Sequence, residues 1–489
     1  MPTLNATRNT LLLMAVLAAG LLAGCAANPV TGKQDFVLMS ESEEISLGRK
    51  YHQQIIEQMP VYNDPKLAAY VDQVGQRVAR TSHRPGLDYH FTVLDSQMVN
   101  AFALPGGYIY ITRGILAYLN SEAELAAVLG HEVGHVTARH SVRQQSAATA
   151  TGVAGAILGA ATGVQASQDL FSVMGKALLS GYGREHELEA DRLGAQYLAR
   201  SGYDPQAMLE VIGVLKNQEL FERRRAREEG REAHTYHGVF ASHPDNDQRL
   251  QSVVKEAEHL KTPGETRVAR QPYLNHLENV TFGASENEGL VVGRHFYHKP
   301  LNFGLDFAAG WSIDNRSDQL LATAPSQGAV MQIVVAERPP GVSPRQFMQR
   351  QGVRNPQRGE SLKLKGFDTY SAMAPIDTNF GRRNARFIVL FDAGHAYLFT
   401  GVSRSPDNER LFDGPFKDVA RSFHHLSAAE KKRASALRLH LITAKAGTHF
   451  KQLARQSPIP KYAESELRLM NHLYPKGEPT AGQTLKVVR

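Results

Sequence analysis

Apolar residues in the first half of this 489-residue chain recur at the three- and four-residue intervals that line one face of a helix. Leu67, Tyr70, Val71, Val74 and Val78 make one such stripe, with Asp64 and Pro65 in N-cap and first-turn positions ahead of it. Ser121 with Glu124 reads as a capping box, and Leu125, Val128, Leu129, Val133 and Val136 form a second stripe behind it. Leu188, Gly194, Ala195 and Leu198 form a third, and Ser40 with Glu43 reads as another capping box. Between the helices the period changes. Tyr89, Phe91 and Val93 alternate as a half-buried strand should. Residues 101–104 and 108–112 flank Pro105-Gly106-Gly107, which reads as a hairpin turn.

After about residue 265 the texture shifts. Residues 331–336, 385–391 and 396–401 read as strands, and Ser343-Pro344 and Asn408 read as helix starts, which predicts an α+β domain over 298–427. In the last segment, 434–489, a strand at 437–443 leads to a helix with Phe450 and Leu453 after Gly447-Thr448. A second helix over 464–473 with Leu467, Leu469 and Asn471 and a closing strand at 482–488 complete the order βααβ. The predicted fold class is therefore multidomain α+β, with a mainly helical region carrying a small hairpin over 25–265 and two smaller domains after it. The length suits two or three domains, and no solenoid-type repeat is present.

The second helical stripe contains His131-Glu132-Val133-Gly134-His135. Residues four apart share a helix face, so His131 and His135 can grip one zinc ion with Glu132 beside it as a general base. This pattern points to metal-assisted hydrolysis of a peptide bond. A catalytic zinc needs a third protein ligand and an open position. Glu187, four residues before Asp191 on the third stripe, is the candidate, with Asp191 orienting a ligand from behind. Such an acidic run is in isolation an ordinary charged helix surface; the upstream motif favours the ligand reading. His140 lies five residues past His135, on another helix face, so His140 is expected to be a bystander, as are His186 and His234. The edge of the hairpin around Asn100, Ala101 and Phe102 either pairs with an extended substrate backbone or packs on the helices.

These motifs resemble the metallopeptidases of family 48, of the CAAX prenyl protease, HtpX and BepA type, whose pattern is H-E-x-x-H followed by E-x-x-x-D. His131, Glu132, His135, Glu187 and Asp191 match it, and Asn100 to Gly107 and Ser242-His243-Pro244, with Arg249, resemble the family too. The likeness covers about 35–260. It implies a zincin-type, mainly helical endopeptidase with Glu187 as third ligand to a single Zn2+. It also implies that His243 approaches the zinc or the transition-state oxyanion, where it could fill the fourth position at rest and make a self-inhibited enzyme; otherwise His243 is a turn residue before proline. Arg249 either stabilises negative charge at the scissile carbonyl or forms a salt bridge. The resemblance implies polypeptide substrates of the cell envelope, misassembled or stalled. The alternatives are an assembly factor or chaperone with its protease site held off, and a peptidoglycan-associated hydrolase. The latter is prompted by segment 434–489, whose βααβ order resembles a LysM-type glycan-binding module, although the usual Asp between Gly447 and Thr448 is absent.

Arg8 precedes an apolar run at 11–24 that is too short for an ordinary membrane span and ends in Leu22-Ala23-Gly24-Cys25. This predicts a signal peptide over 1–24; the alternative is an uncleaved anchor. Cys25 after small residues resembles the bacterial lipoprotein box, which implies a lipidated Cys25. With Ala26 and Ala27 following, bacterial sorting rules imply an outer-membrane lipoprotein facing the periplasm. Cys25 is the only cysteine, so no disulfide forms within the chain. Residues 147–166 are uncharged and rich in Ala and Gly, with Gly155, Gly159 and Gly163 at the spacing of packed membrane helices. A single crossing there would put His131 and Glu187 on opposite sides of a bilayer, so a mobile helical hairpin or lid is expected. The composition, 42% hydrophobic and 21% charged, is that of a globular protein. The formal charge of +7 suits contact with anionic envelope polymers; the charges are mixed and no nucleic-acid motif occurs.

Overall fold

The computed structural model describes residues 25–147, 149, 183–229, 254, 255, 259, 266–316 and 319–489. Outside them lie the expected signal peptide, most of the Ala/Gly-rich stretch, His234, His243 and Arg249. Among the described residues no helix is long and apolar enough to cross a membrane. The chain divides into two compact units, residues 1–282 with 437–489, and residues 283–436.

The first unit opens on a small antiparallel ribbon of β1 (Cys25–Ala27) and β2 (Gln34–Phe36). Helix α1 (Glu41–Gln58) starts on a complete Ser40–Glu43 capping box, and α2 (Pro65–Ala79) starts on Asp64, whose carboxylate accepts from the Lys66 and Leu67 amides. The α2 stripe Leu67, Tyr70, Val71, Val74 and Val78 is buried as its spacing requires. Strands β3 (His90–Leu94), β4 (Ala101–Leu104) and β5 (Tyr108–Thr112) form one sheet in the order β3-β5-β4. β4 and β5 are the expected hairpin, antiparallel, with Gly106 and Gly107 at positive φ in the turn between them. β3 joins β5 in parallel, so among the described strands β4 is an edge.

Helix α3 (Glu122–Thr137) is buried along its whole length and follows the Ser121 cap. The cap differs from a full capping box. Ser121 accepts from the Glu124 amide, but the Glu124 carboxylate accepts from the amide of Asn120 rather than that of Ser121. Helices α4 (Arg184–Arg200), α5 (Ala207–Glu229) and α6 (Arg270–Leu277) and the short β6 (Thr281–Phe282) complete this part, with α5 ending in the charged run at 222–229.

The second unit is built on antiparallel sheets. β7 (Leu290–Val292), β8 (His295–His298) and β9 (Phe303–Asp306) belong to a four-stranded one. A seven-stranded sheet contains β10 (Ser312–Asn315), β11 (Leu320–Thr323), β12 (Ala329–Glu337), β13 (Gln357–Leu364), β14 (Phe367–Thr378), β15 (Gly381–Asp392) and β16 (His395–Ser403), in the order 10-11-12-16-15-14-13. Helices α7 (Pro344–Arg350), on a Ser343–Gln346 capping box, and α8 (Glu409–Ser422) start where the sequence places them. The unit is larger than the expected 298–427, because β7 pairs with β8 and draws in the residues before 298.

The C-terminal segment has the expected βααβ order, with β17 (Leu437–Thr443), α9 (Phe450–Gln456), α10 (Ala463–Met470) and β18 (Thr484–Val488). It does not stand apart as a domain of its own. β17 pairs with β6 as well as with β18, and Leu439, Phe450, Leu467, Met470 and Leu485 share one core with α2, α3 and α6. A segment this short buries too little apolar surface alone, so it completes its core against the helices. Lys486, which strand alternation places on the solvent side, is fully buried and donates to the carbonyls of Ala117 and Leu119.

Candidate metal centre

His131, Glu132 and His135 lie in the C-terminal half of α3, and Glu187 and Asp191 in the first half of α4. The two helices bring their backbones together at Gly134 and Gly194. A Cβ on Gly134 would sit 2.9 Å from the Ala190 carbonyl oxygen, and one on Gly194 would sit 3.0 Å from the His131 nitrogen. Over that contact the Glu187 carboxylate reaches the two imidazoles. His131 Nε2 and His135 Nε2 are 2.9 Å apart, and the Glu187 oxygens lie 3.5 Å from the former and 3.9 Å from the latter. Ligands at about 2.1 Å from a tetrahedral zinc are about 3.4 Å from one another. The two imidazole nitrogens and the Glu187 carboxylate, through one oxygen towards each ring, therefore lie near the spacing of ligands around one tetrahedral ion. Among the described residues this is the group that could hold a metal ion.

The comparison with known families agrees with this geometry: residues 65–257 match Peptidase family M48. This region is a peptidase family M48 domain. The beta-barrel assembly-enhancing protease of Yersinia pestis is 31% identical over 279 residues, 55% of this chain and 55% of that protein. The protein of the same name from Escherichia coli K12 is 33% identical over 195 residues, 38% of this chain and 40% of that one. The mitochondrial metalloendopeptidase OMA1 of Arabidopsis thaliana is 37% identical over 150 residues, 29% of each. The matches thus span between 29% and 55% of these relatives' lengths.

The M48 domain surrounds its candidate ligands with polar groups that set their protons. Asp191 Oδ1 lies 2.8 Å from His131 Nδ1, so the carboxylate accepts the Nδ1 proton and leaves Nε2 facing Glu187. Burial would make the His131 ring neutral, but the carboxylates of Asp191 and Glu187 outweigh it and hold its pKa up at about 10. A positive charge is therefore favoured at that point, which is what a divalent cation would supply. His135 is held well below its usual value, first by burial and then by the neighbouring imidazoles. Glu132, buried beside them, is pushed up to about 8 by desolvation, with His131 opposing and Glu187 adding to the rise.

Of the other sequence-predicted residues, Ala101 is buried in the core, so its backbone alone is available at the edge. Asn100 is tied through its backbone to Thr112, whose hydroxyl donates to the Asn100 carbonyl. Phe102 is half-buried and stacks on Tyr110 at 4.8 Å. β4 packs against α3. Cys25 begins β1, opposite Phe36. The expectation for His140 and His186 needs correction: both belong to the surroundings of the site. His140 Nδ1 is 2.8 Å from His135 Nδ1, and His186 stacks on His140 at 4.3 Å. The helical spacing misplaced His140 because α3 stops at Thr137.

Proposed function

We propose that the chain is a zinc-dependent endopeptidase that cleaves unfolded or misassembled proteins of the cell envelope. The observation that carries this reading is the convergence of His131, His135 and Glu187 at tetrahedral spacing beside a buried carboxylate. In this reading His131, His135 and Glu187 hold one Zn2+, which supplies Lewis acidity to a water and to the scissile carbonyl. Glu132 takes the water's proton and passes it to the leaving amine. Asp191 holds His131 in its ligand tautomer. His243 and Arg249 act at the fourth position or the developing oxyanion, a role that rests on the family resemblance.

The choice of envelope substrates follows the names of the bacterial relatives. Cys25 as a lipid anchor would place the enzyme at the outer membrane facing the periplasm. The segment 437–489 keeps the βααβ order of a LysM-like module, and its contact with peptidoglycan is the corresponding proposal. The test is zinc analysis paired with casein digestion. One zinc per chain and cleavage that stops with a chelator and returns with added zinc are expected. A zinc-loaded chain that never cuts an unfolded protein would remove the peptidase reading.

Among the described strands β4 pairs on one side only, and its other side is the edge we assign to an extended substrate, a mode indifferent to side-chain sequence. Substitution of Phe102 by Ala is expected to lower kcat/KM for peptides several-fold with zinc content unchanged. Equal loss of zinc and activity would assign Phe102 to packing instead.

A further inference from the structure

α3 ends at Thr137, and Arg139 takes φ of 56°, which turns the chain so that His140 lies back against the ligand helix. His140 Nδ1 then faces His135 Nδ1 at 2.8 Å, and His140 Nε2 faces Glu189 Oε2 at 3.0 Å. The same Glu189 oxygen accepts from Arg143 Nη1 at 2.9 Å, and Arg143 Nε lies 3.4 Å from Asp35 Oδ2. His140 is fully buried, and His186 covers its ring at an interplanar angle of 17°.

Two imidazole nitrogens in contact need one proton between them, and the rest of the chain decides which ring carries it. The oxygen that His140 Nε2 faces already accepts from Arg143, so the proton of that contact comes from the imidazole and His140 Nε2 is the N–H. In the neutral ring His140 Nδ1 is then a bare lone pair. His135 Nδ1 must donate to it, which leaves His135 Nε2 bare and directed at His131 Nε2 and Glu187. A bare Nε2 is the form a metal binds.

We propose that His140, with Glu189 and Arg143, is a positioning relay that holds His135 in its Nδ1–H tautomer and presents Nε2 to the metal, as Asp191 does for His131. The inference rests on the metal-site reading above. It assigns a role to three residues outside the H-E-x-x-H and E-x-x-x-D ligand pattern.

Zinc dissociation constants of the full chain, measured by chelator competition, test it. His140→Leu fills the same space without an acceptor, and zinc is expected to bind about 10- to 100-fold more weakly. His140→Asn places its Oδ1 where Nδ1 stands and is expected to recover most of that loss, which a packing role alone would not produce. Equal affinity in parent and His140→Leu overturns the relay, and so does an equal loss in both variants. A parent that binds no zinc overturns the metal site itself, a different result. The thermal midpoint of the metal-free variants checks folding. Should His140→Leu fail to fold, Glu189→Leu removes the far acceptor from a part-exposed position. It is expected to weaken zinc in the same direction by a smaller factor, and unchanged affinity there overturns the relay equally.

Discussion

Replacing Glu132 by Gln is expected to slow peptide hydrolysis by about 10²- to 10⁴-fold, the range for loss of a positioned general base, while one zinc per chain is retained. Gln has nearly the volume of Glu, and α3 is close-packed around position 132, so the helix and its two imidazoles have no reason to move. What disappears is the proton acceptor. The surroundings of Glu132 suit a general base. Burial raises the carboxyl to about 8 even against the opposing charge of His131, and a divalent ion at the three ligands would draw it down. Turnover of a fluorogenic peptide, set beside zinc content on the same preparations, makes the check. Activity close to the parent would assign the proton transfer elsewhere. Loss of zinc together with activity would make Glu132 a structural residue.

The second large effect lies in the backbone. Gly134→Ala adds one methyl group, which would sit 2.9 Å from the Ala190 carbonyl oxygen and 3.1 Å from the Ala190 Cα. Backbone atoms of a packed helix do not yield as the end of a flexible side chain does, so α3 and α4 must separate. Overpacking of this kind costs about 1–3 kcal/mol, against a gain of up to about 1 kcal/mol from Ala over Gly within a helix. Because Glu187 reaches the imidazoles across this contact, zinc affinity should fall at least about 10-fold along with the thermal midpoint, as for loss of a metal-site support. Gly213→Ala in α5 is the matched control. Its added Cβ meets nothing within 4 Å, so the same substitution should leave zinc binding alone and raise the midpoint slightly. Calorimetry and chelator competition on the pair give the comparison. A Gly134→Ala protein as stable and as tight for zinc as the parent would mean that the helix contact does not set the site.

Much of the site was legible without coordinates. Two imidazoles four residues apart on an apolar helical stripe, and two carboxylates four apart on another, are local patterns with a local cause, the 3.6-residue turn. The same holds for the α2 stripe, the β4–β5 hairpin around Pro105-Gly106-Gly107 and β12, β15 and β16. It holds also for the βααβ order at the end of the chain. His140 escaped because spacing arguments assume that a helix continues, and α3 stops three residues before it. The edge strand β13 escaped periodicity as well, since it is exposed along most of its length and is held by its pairing with β14 rather than by an apolar face.

The sequence by itself determined which side chains bear chemistry and on which helix faces they lie, since those follow from short-range geometry of the backbone. Only the tertiary structure decided the rest. The crossing at Gly134 and Gly194 sets the distance from Glu187 to the imidazoles. The turn at Arg139 swings His140 behind His135. The last fifty or so residues complete the first core rather than forming their own, with Lys486 capping carbonyls more than 360 residues away along the chain. The physical reason is common to all three. Contacts between distant segments are chosen by how well whole surfaces fill space and satisfy one another's polar groups, and no interval along the chain records that.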